Sequence, residues 1–394
     1  MNTTNTPYRL VVLGAGYTGM LAAVRLAGRT RGGNVRITLV DPSARFTERL
    51  RMHQIATGQR LPEHRIADIV AGTGIEFVRG RATAIDTVAA RVTVDDTVTI
   101  GYDELIYALG SGTDTSVIPG AADHGWTLND PRTAHRFADR LALVESRHGA
   151  VVVGGAGLTG IEAATEIAER FPALRVNLVG TDEPGSMMGE KARAYLGRAL
   201  DRLGITRVVG HHITKVLPDA VELADSTLIP ADLTLITTGM RVPPLAAESG
   251  IDTDPRGRVI VDAALRSVSH PNIHAIGDAA AVRQAWGEIH GTCQSGMPTA
   301  AYVADEIARR FRGKKIAPFR FGYIHQPVSL GRADAVIQFT KADDTPGRFH
   351  LTGKAAVLYK ETVSRSPIPI FGLSRRFAVP VQLYKGGRAT ARLA

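Results

Sequence analysis

The sequence predicts an α/β protein: two Rossmann-like dinucleotide-binding domains with β-meander insertions, plus a smaller C-terminal α+β region. Three observations carry that prediction. The phrase VVLGAGYTGMLAAVRL, from Val11, returns as VVVGGAGLTGIEAATEI from Val151. Each copy sits between a buried-strand pattern and a helical one. Each is followed by short β-like segments and then by a strand closing on a turn, ALGS in the first half and TTGM in the second. Self-similarity at so long a period marks two related domains, not a solenoid.

Taken in order, YRLVVLGAG is a buried strand entering a glycine-rich turn, YTGMLAAVRLAG has helical spacing, and RITLVD is a second buried strand ending on Asp41. Residues 8–41 are therefore one βαβ unit. Within 75–108, the pieces IEFVRGRATAID, RVTVDD and TVTIGYDELIYALG predict an antiparallel meander and then a strand ending at Gly110. A helical stretch follows around 131–147. Residues 150–180 repeat the βαβ pattern, and a β-rich piece over 206–237 ends in ADLTLITTGMRVPP. RGRVIVDAALRSVSHPNIHAIGDAA then leads into a predicted helix, PTAAYVADEIARRF. The tail, 311–394, mixes β-like segments with Pro- and Gly-rich turns. The expected domains are 1–112 with 240–310, 113–239, and 311–394.

Composition narrows the function classes. A chain of 394 residues can bury a large core without disulfides or a structural metal. Its one cysteine, Cys293, cannot form an internal disulfide or supply a zinc or iron–sulfur cluster. That usage fits a reducing, cytoplasmic setting. The net charge of +9 comes from arginines spread along the chain, with no basic stripe interleaved with aromatics. This reads as a solvated basic surface, with no nucleic-acid partner. The N-terminus lacks a basic leader and its apolar run is broken by glycines, so no signal peptide is read there. No apolar run reaches the ~18–20 residues of a membrane span.

The glycine phrases give Gly14-x-Gly16-x-x-Gly19 and Gly155-x-Gly157-x-x-Gly160. In this pattern the first glycine makes the tight turn and the second lets a pyrophosphate approach the backbone. The third brings helix and strand close, and the phosphates meet the helix N-terminus. The copies differ at the end of the next strand. Asp41 closes the first, where a carboxylate can bind both hydroxyls of an adenosine ribose. In the second the matching place is Gly180, followed by Thr181 and Asp182. Asp182 is the group that would reach the ribose, which favours NADH. With no acid directly at the strand end and no arginine immediately beside it, the choice between NADH and NADPH stays open.

These residues resemble the two-dinucleotide-binding-domain flavoproteins of the pyridine nucleotide–disulfide oxidoreductase superfamily. Within it the chain is most similar to type II NADH dehydrogenases and related ferredoxin-reductase or apoptosis-inducing-factor-like flavoproteins, over roughly residues 8–340. YDELIYALGS (102–111) resembles the linker closing the FAD domain, and NIHAIGDAA (272–280) resembles the second FAD motif. The resemblance implies FAD held by Gly14, Gly16, Gly19, Asp41, Gly110, Gly277 and Asp278. It implies NAD(P)H held by Gly155, Gly157, Gly160 and Asp182. RFTERLRMHQIATGQ (45–59) resembles the segment lying near the isoalloxazine, with a surface helix as the alternative reading.

The implied activity is FAD-dependent NAD(P)H oxidation, with electrons passing to a quinone or other small acceptor. The competing readings are a reductase of a protein carrier such as ferredoxin and a slow-turnover redox sensor. Glu162, just after Gly160, matches an acid that relatives hold near the nicotinamide; its plain alternative is a helix-surface glutamate. Gln294 matches the first glutamine of a helix bordering the flavin and quinone pocket, while Met297 and Pro298 replace the rest of that motif. Residues 42–60 contain no cysteine, which argues against disulfide reduction, and Cys293 reads as a small buried thiol. The segment SLGRADAVIQF (329–339) resembles the family's C-terminal strands. The tail mixes basic and apolar residues that suit peripheral contact with the inner face of a membrane, although Pro367, Pro369 and Pro380 interrupt it. A homodimer is a further expectation by resemblance.

Overall fold

The computed structural model describes residues 6–382 and 384–390. The first five residues, Leu383 and the last four of the predicted C-terminal region lie outside the described residues.

Two five-stranded parallel sheets organise the chain. The first runs Ile273–Ala275, Glu104–Tyr107, Tyr8–Leu13, Val35–Asp41, Ile75–Arg79. The second runs Gly125–Trp126, Leu233–Ile236, Ala150–Gly154, Arg175–Gly180, Thr206–Val209. In each, the strand carrying the glycine phrase is central, and its chain crosses over through a helix, Tyr17–Arg29 or Leu158–Arg170. Leu10, Val11, Val12 and Leu13 are all buried, as are Val151, Val152 and Val153. Apolar runs without alternation are what strands covered on both faces require. Each such fully buried aliphatic side chain contributes about 1.5–3 kcal/mol relative to exposure.

The small sheets fill the expected insertions. Strands Ala82–Asp86, Arg91–Val94 and Val98–Gly101 form one antiparallel meander; Ile213–Val216, Ala220–Leu223 and Leu228–Pro230 form the other. One boundary is corrected. Ile75–Arg79, read as meander, pairs in parallel with Val35–Asp41. The chain leaves that strand at Gly80, and only Ala82–Asp86 belongs to the antiparallel piece. The helix expected around 131–147 spans Pro131–Glu145, started by the Asp130 side chain accepting from the Thr133 N–H.

The helix expected from Pro298 begins earlier, at Cys293, and runs to Arg310. Thr292 starts it with a reciprocal capping box to Ser295. This helix packs on Tyr17–Arg29 and joins the core of the first unit through Ala300, Val303, Ala304 and Ile307.

The tail is more helical than its prolines suggest. An antiparallel sheet, His325–Ser329, Ala335–Thr340, Pro346–Thr352, is followed by helices Gly353–Arg365 and Pro367–Ser374. Pro367 sits at the start of the second helix, where its missing N–H has no intrahelical role and its fixed φ suits the turn. Val328, Leu330 and Val336 join the core of the second unit, while Ala335 and Ile337 pack with Ala356 of the first tail helix. The helix Pro367–Ser374 lies on Tyr17–Arg29, so the tail clamps both units. No helix of the described residues is long and apolar enough to cross a membrane.

Candidate functional site

The two glycine loops have the same geometry. Gly14 and Gly155 have φ of +95° and +116°, a region that L side chains avoid. At Gly19 and at Gly160 a Cβ would lie 1.8 Å from the carbonyl oxygen of Gly14 or Gly155. Gly16 and Gly157 differ from both: a Cβ there would meet nothing within 4 Å. Each begins its helix with extended backbone and no side-chain cap. The middle glycine of each copy thus opens a surface at an uncapped helix N-terminus, the setting that accepts phosphate.

The strand ends differ. The Asp41 carboxylate accepts from the N–H of Ala15 at 2.7 Å and of Ser43 at 2.8 Å, which fixes it beneath the first loop. Burial pushes its pKa above the ordinary carboxylate value, against the lowering by those two bonds. In the second unit a Cβ on Gly180 would lie 2.5 Å from the Cβ of Ala156, in the loop itself. Asp182 is exposed, and among the described residues only Thr181 Oγ1 donates to it, at 3.3 Å. The neighbouring strand supplies Arg207, whose guanidinium bonds Glu183 at 3.2 Å and Asp201 at 2.7 Å. Sequence order hid this arginine because strand pairing, not adjacency, brings it to the strand-end loop.

Residues far apart in sequence converge on the first loop. A Cβ on Gly277 would meet Thr18 Cγ2 at 2.8 Å, so the second predicted flavin motif lies against the first turn of helix Tyr17–Arg29. Ser111 Oγ donates to Asp278 Oδ2 at 2.7 Å, and Arg49 Nη1 donates to the Ser111 carbonyl at 2.6 Å. Gly110 has φ of +66° and open space where a side chain would be. Gly14, Gly16, Gly19, Asp41, Gly110, Gly277 and Asp278 thus line one end of the first sheet. A small cavity there is bounded by Arg258, Gly277, Asp278, Gly291, Ser295 and Thr299.

Glu162 is not a surface glutamate. It is buried, and its Oε1 meets Lys360 Nζ at 2.8 Å and accepts the Ser329 N–H at 3.0 Å. Burial raises its pKa, but the Lys360 charge, with these bonds, outweighs it and holds the group below its ordinary value. The segment 45–59 is not a surface helix either. It forms short turns at Arg49–Arg51 and Met52–Ile55, and Arg51, Met52, His53 and Gln54 are buried. His53 Nδ1 lies 3.7 Å from Glu162 Oε2, and its Nε2 lies 4.0 Å from Glu166 Oε1. Burial lowers the His53 pKa to about 4, so the ring is neutral at pH 7. Burial raises Glu166 to about 7, although Arg332 beside it pulls the other way. Gln59 Nε2 donates to Glu166 at 2.9 Å, and Arg332 also pairs with Glu361. Sequence reading missed Glu166, Lys360, Arg332 and Glu361. The spacing of Glu162 and Glu166, one turn apart in a largely apolar helix, was the available signal for the first.

Gln294 serves the fold. Its side-chain oxygen accepts the Ile324 N–H at 2.8 Å and its Nε2 donates to the His325 carbonyl at 3.0 Å, tying the helix start to the C-terminal sheet. Burial pushes the Cys293 thiol up to about 12, with the Asp278 charge adding, which leaves it a poor nucleophile.

Residues 8–306 match the family model described as pyridine nucleotide-disulphide oxidoreductase. The chain is 30% identical to an NADH dehydrogenase-like protein of Mycobacterium tuberculosis, covering 83% of this chain and 87% of that one. It is 26% identical to the demethylphylloquinone reductase NdbB of Synechocystis, covering 91% and 92%. The solved sulfide:quinone oxidoreductase of Aquifex aeolicus superposes with a TM-score of 0.79 at 20% identity, covering 93% and 91%. With its fold, its two glycine loops and these likenesses, the chain belongs to the pyridine nucleotide-disulphide oxidoreductase family.

Proposed function

We propose that the protein is a flavoenzyme that oxidises NADH and passes the electrons to a quinone or similar small acceptor. The observation that carries this reading is the pair of equivalent glycine loops closed by unlike strand ends: Asp41 in one, Gly180 in the other. FAD fits the first unit, residues 1–112 with 240–310. The open surface at Gly16 suits its pyrophosphate, Asp41 its adenosine ribose, and Asp278 with Gly110 and Gly277 the part nearer the ring. NADH fits the second unit, residues 113–239, on the surface opened by Gly157. Asp182 and Glu183 place carboxylates beyond that strand end, and Arg207 is already paired with acids, which supports NADH over NADPH.

Bound FAD would supply the redox chemistry, taking a hydride from NADH and releasing two electrons to the acceptor. The chain's own residues bind, orient and exclude water. The names of the mycobacterial and cyanobacterial relatives support NADH as donor and a quinone-type acceptor. Leu373 and Phe377 stand exposed beside Arg375 and Arg376 on the tail. A basic, apolar edge of this kind suits peripheral contact with an anionic membrane, where quinones reside.

The test is anaerobic reduction of the purified yellow protein by NADH or NADPH, followed by addition of a soluble quinone, ferredoxin or oxygen. The reading expects NADH to bleach the flavin and quinone to restore it fastest. Restoration by ferredoxin alone would replace the quinone with a protein carrier. A flavin that stays reduced with every acceptor would replace the enzyme with a redox sensor.

A further inference from the structure

The strand end of the second unit carries an arrangement of charges that stability alone does not explain. Arg207 stands on strand Thr206–Val209, opposite Leu178 and two rungs below Gly180. Its side chain reaches the loop that leaves Gly180, and two acids hold it from different elements. Nη2 meets Asp201 of helix Glu190–Arg202 at 2.7 Å, and Nη1 meets Glu183 of the loop at 3.2 Å. Nη1 also lies over Gly197 of that helix, where a Cβ would stand 3.4 Å away. Partly exposed ion pairs of this kind add little to stability. The two acids differ in what they do. Asp201 ties the guanidinium to the helix on which it rests, whereas Glu183, three residues past Gly180, covers the nitrogen that meets the loop.

The adenosine ribose of a dinucleotide comes to the end of this strand when its pyrophosphate lies on the glycine loop. In the first unit Asp41 fills that end and accepts the loop N–H of Ala15. In the second, Gly180 leaves the end without a carboxylate of its own. A ribose 2′-hydroxyl and a 2′-phosphate are then told apart by the charges around the opening. These are Asp182 and Glu183 on the loop, Arg207 on the neighbouring strand and Asp201 on the helix. His211 joins them, its N–H donating to the Gly180 carbonyl at 3.3 Å and its Nδ1 lying 3.7 Å from Asp225. Among these groups, four carboxylates stand against one guanidinium and one imidazole. A 2′-phosphate, with close to two negative charges at pH 7, meets this excess of acids and an arginine whose donors are taken.

We infer that Glu183 sets the nucleotide preference by masking Arg207, and that the second cradle holds a latent site for the 2′-phosphate of NADPH. The inference rests on the proposed reading of this cradle as the NADH site and names the residue that decides the donor. A guanidinium offers paired N–H donors that match phosphate oxygens. With the Glu183 charge gone, Nη1 is free to donate to the phosphate while Asp201 keeps the guanidinium in place. Glu183 is thus a positioning residue that acts through Arg207. A carboxylate that bound the ribose directly would discriminate by its own contact, and its loss would weaken NADH. A mask discriminates through the arginine, and its loss strengthens NADPH only while the arginine is present.

The experiment measures kcat and KM for NADH and for NADPH with ferricyanide as acceptor, at constant ionic strength and per bound flavin. Full-length, flavin-loaded wild type is compared with Glu183→Gln, Arg207→Ala and the double variant. The quantity read is the ratio of kcat/KM for NADPH to that for NADH. Wild type is expected to favour NADH. Glu183→Gln should raise the ratio about tenfold, the scale of one charge-assisted hydrogen bond, through a lower KM for NADPH. Arg207→Ala alone should not raise the ratio, and the double variant should lose the gain. The inference is overturned if Glu183→Gln leaves the ratio unchanged, or if the gain survives without Arg207. It is equally overturned if the ratio rises only because KM for NADH rises, as a direct ribose contact would make it. Wild-type flavin reduced equally well by both nucleotides overturns the inference and leaves the flavoenzyme reading standing. Flavin that neither nucleotide reduces sinks that reading, and the inference with it.

Discussion

Glycines at equivalent places do unlike work, and substitution separates them. A methyl at Gly160 would lie 1.8 Å from a backbone oxygen that cannot give way. Gly160→Ala is expected to lower stability by about 1–3 kcal/mol, as overpacking does. Gly157→Ala, facing open space, should stay within about 0.5 kcal/mol yet weaken nucleotide binding. Urea midpoints and NADH titration check the pair. The glycines were legible from spacing alone, because only one local geometry uses that pattern. Glu162 was legible as a position but not as a buried ion pair, since Lys360 reaches it from a tail helix.

Glu166 gives a pH signature at the same scale. Its pKa is raised to about 7 in the folded protein, so between its unfolded value and 7 the folded state binds more protons. Its stabilising contribution is therefore present at acid pH and lost as pH rises towards 7, on the order of 3 kcal/mol. Glu166→Gln should flatten the melting temperature over that window. An unchanged slope would show that the group titrates normally. Glu162 has the opposite sign: its lowered pKa stabilises above the unfolded value, and that contribution goes as pH falls through the folded one.

Elements are held by a second buried cluster that no motif announces. Glu104, on the strand beside Tyr8–Leu13, accepts from His274 Nε2 at 2.8 Å and from Arg310 Nη2 at 2.6 Å. Glu306 pairs with Arg266 and Arg310 across the same joint. Two carboxylates face two guanidinium groups, a balance that clasps strand Ile273–Ala275 and helix Cys293–Arg310 onto the first sheet. Glu104→Ala leaves the buried His274 Nε2 without an acceptor and leaves the partly exposed Arg310 with Glu306, and should cost about 1–3 kcal/mol. Arg147→Ala, which breaks an exposed pair with Asp232, should cost less than about 1 kcal/mol. Denaturant unfolding distinguishes them. Strands and helices were legible from periodicity, but the parallel role of Ile75–Arg79 was not. Its short apolar run pairs equally well either way, and only the closure at Gly80 decides.

At the scale of the molecule, sequence repetition foretold the two sheets because a buried parallel strand and its glycine turn leave little freedom in composition. The tail resisted reading. Pro367 and Pro369 look like breakers until the chain places the first at a helix start. The helix so formed, Pro367–Ser374, leads out to exposed Leu373 and Phe377. If that edge contacts lipid, the protein should sediment with anionic vesicles, and Leu373→Asp with Phe377→Asp should reduce the bound fraction at least several-fold. Equal binding by wild type and the double variant would place any contact elsewhere.

The central claim is that two equivalent cradles hold different nucleotides, a resident flavin in the first and a visiting NADH in the second. Anaerobic NADH titration of Gly157→Val, followed by the visible flavin absorbance, tests it most directly. The account predicts a protein that purifies yellow with wild-type flavin content and no longer bleaches at NADH levels that reduce the wild type. A colourless Gly157→Val protein that still binds NADH would contradict it, since the two cradles would then be assigned the wrong way round.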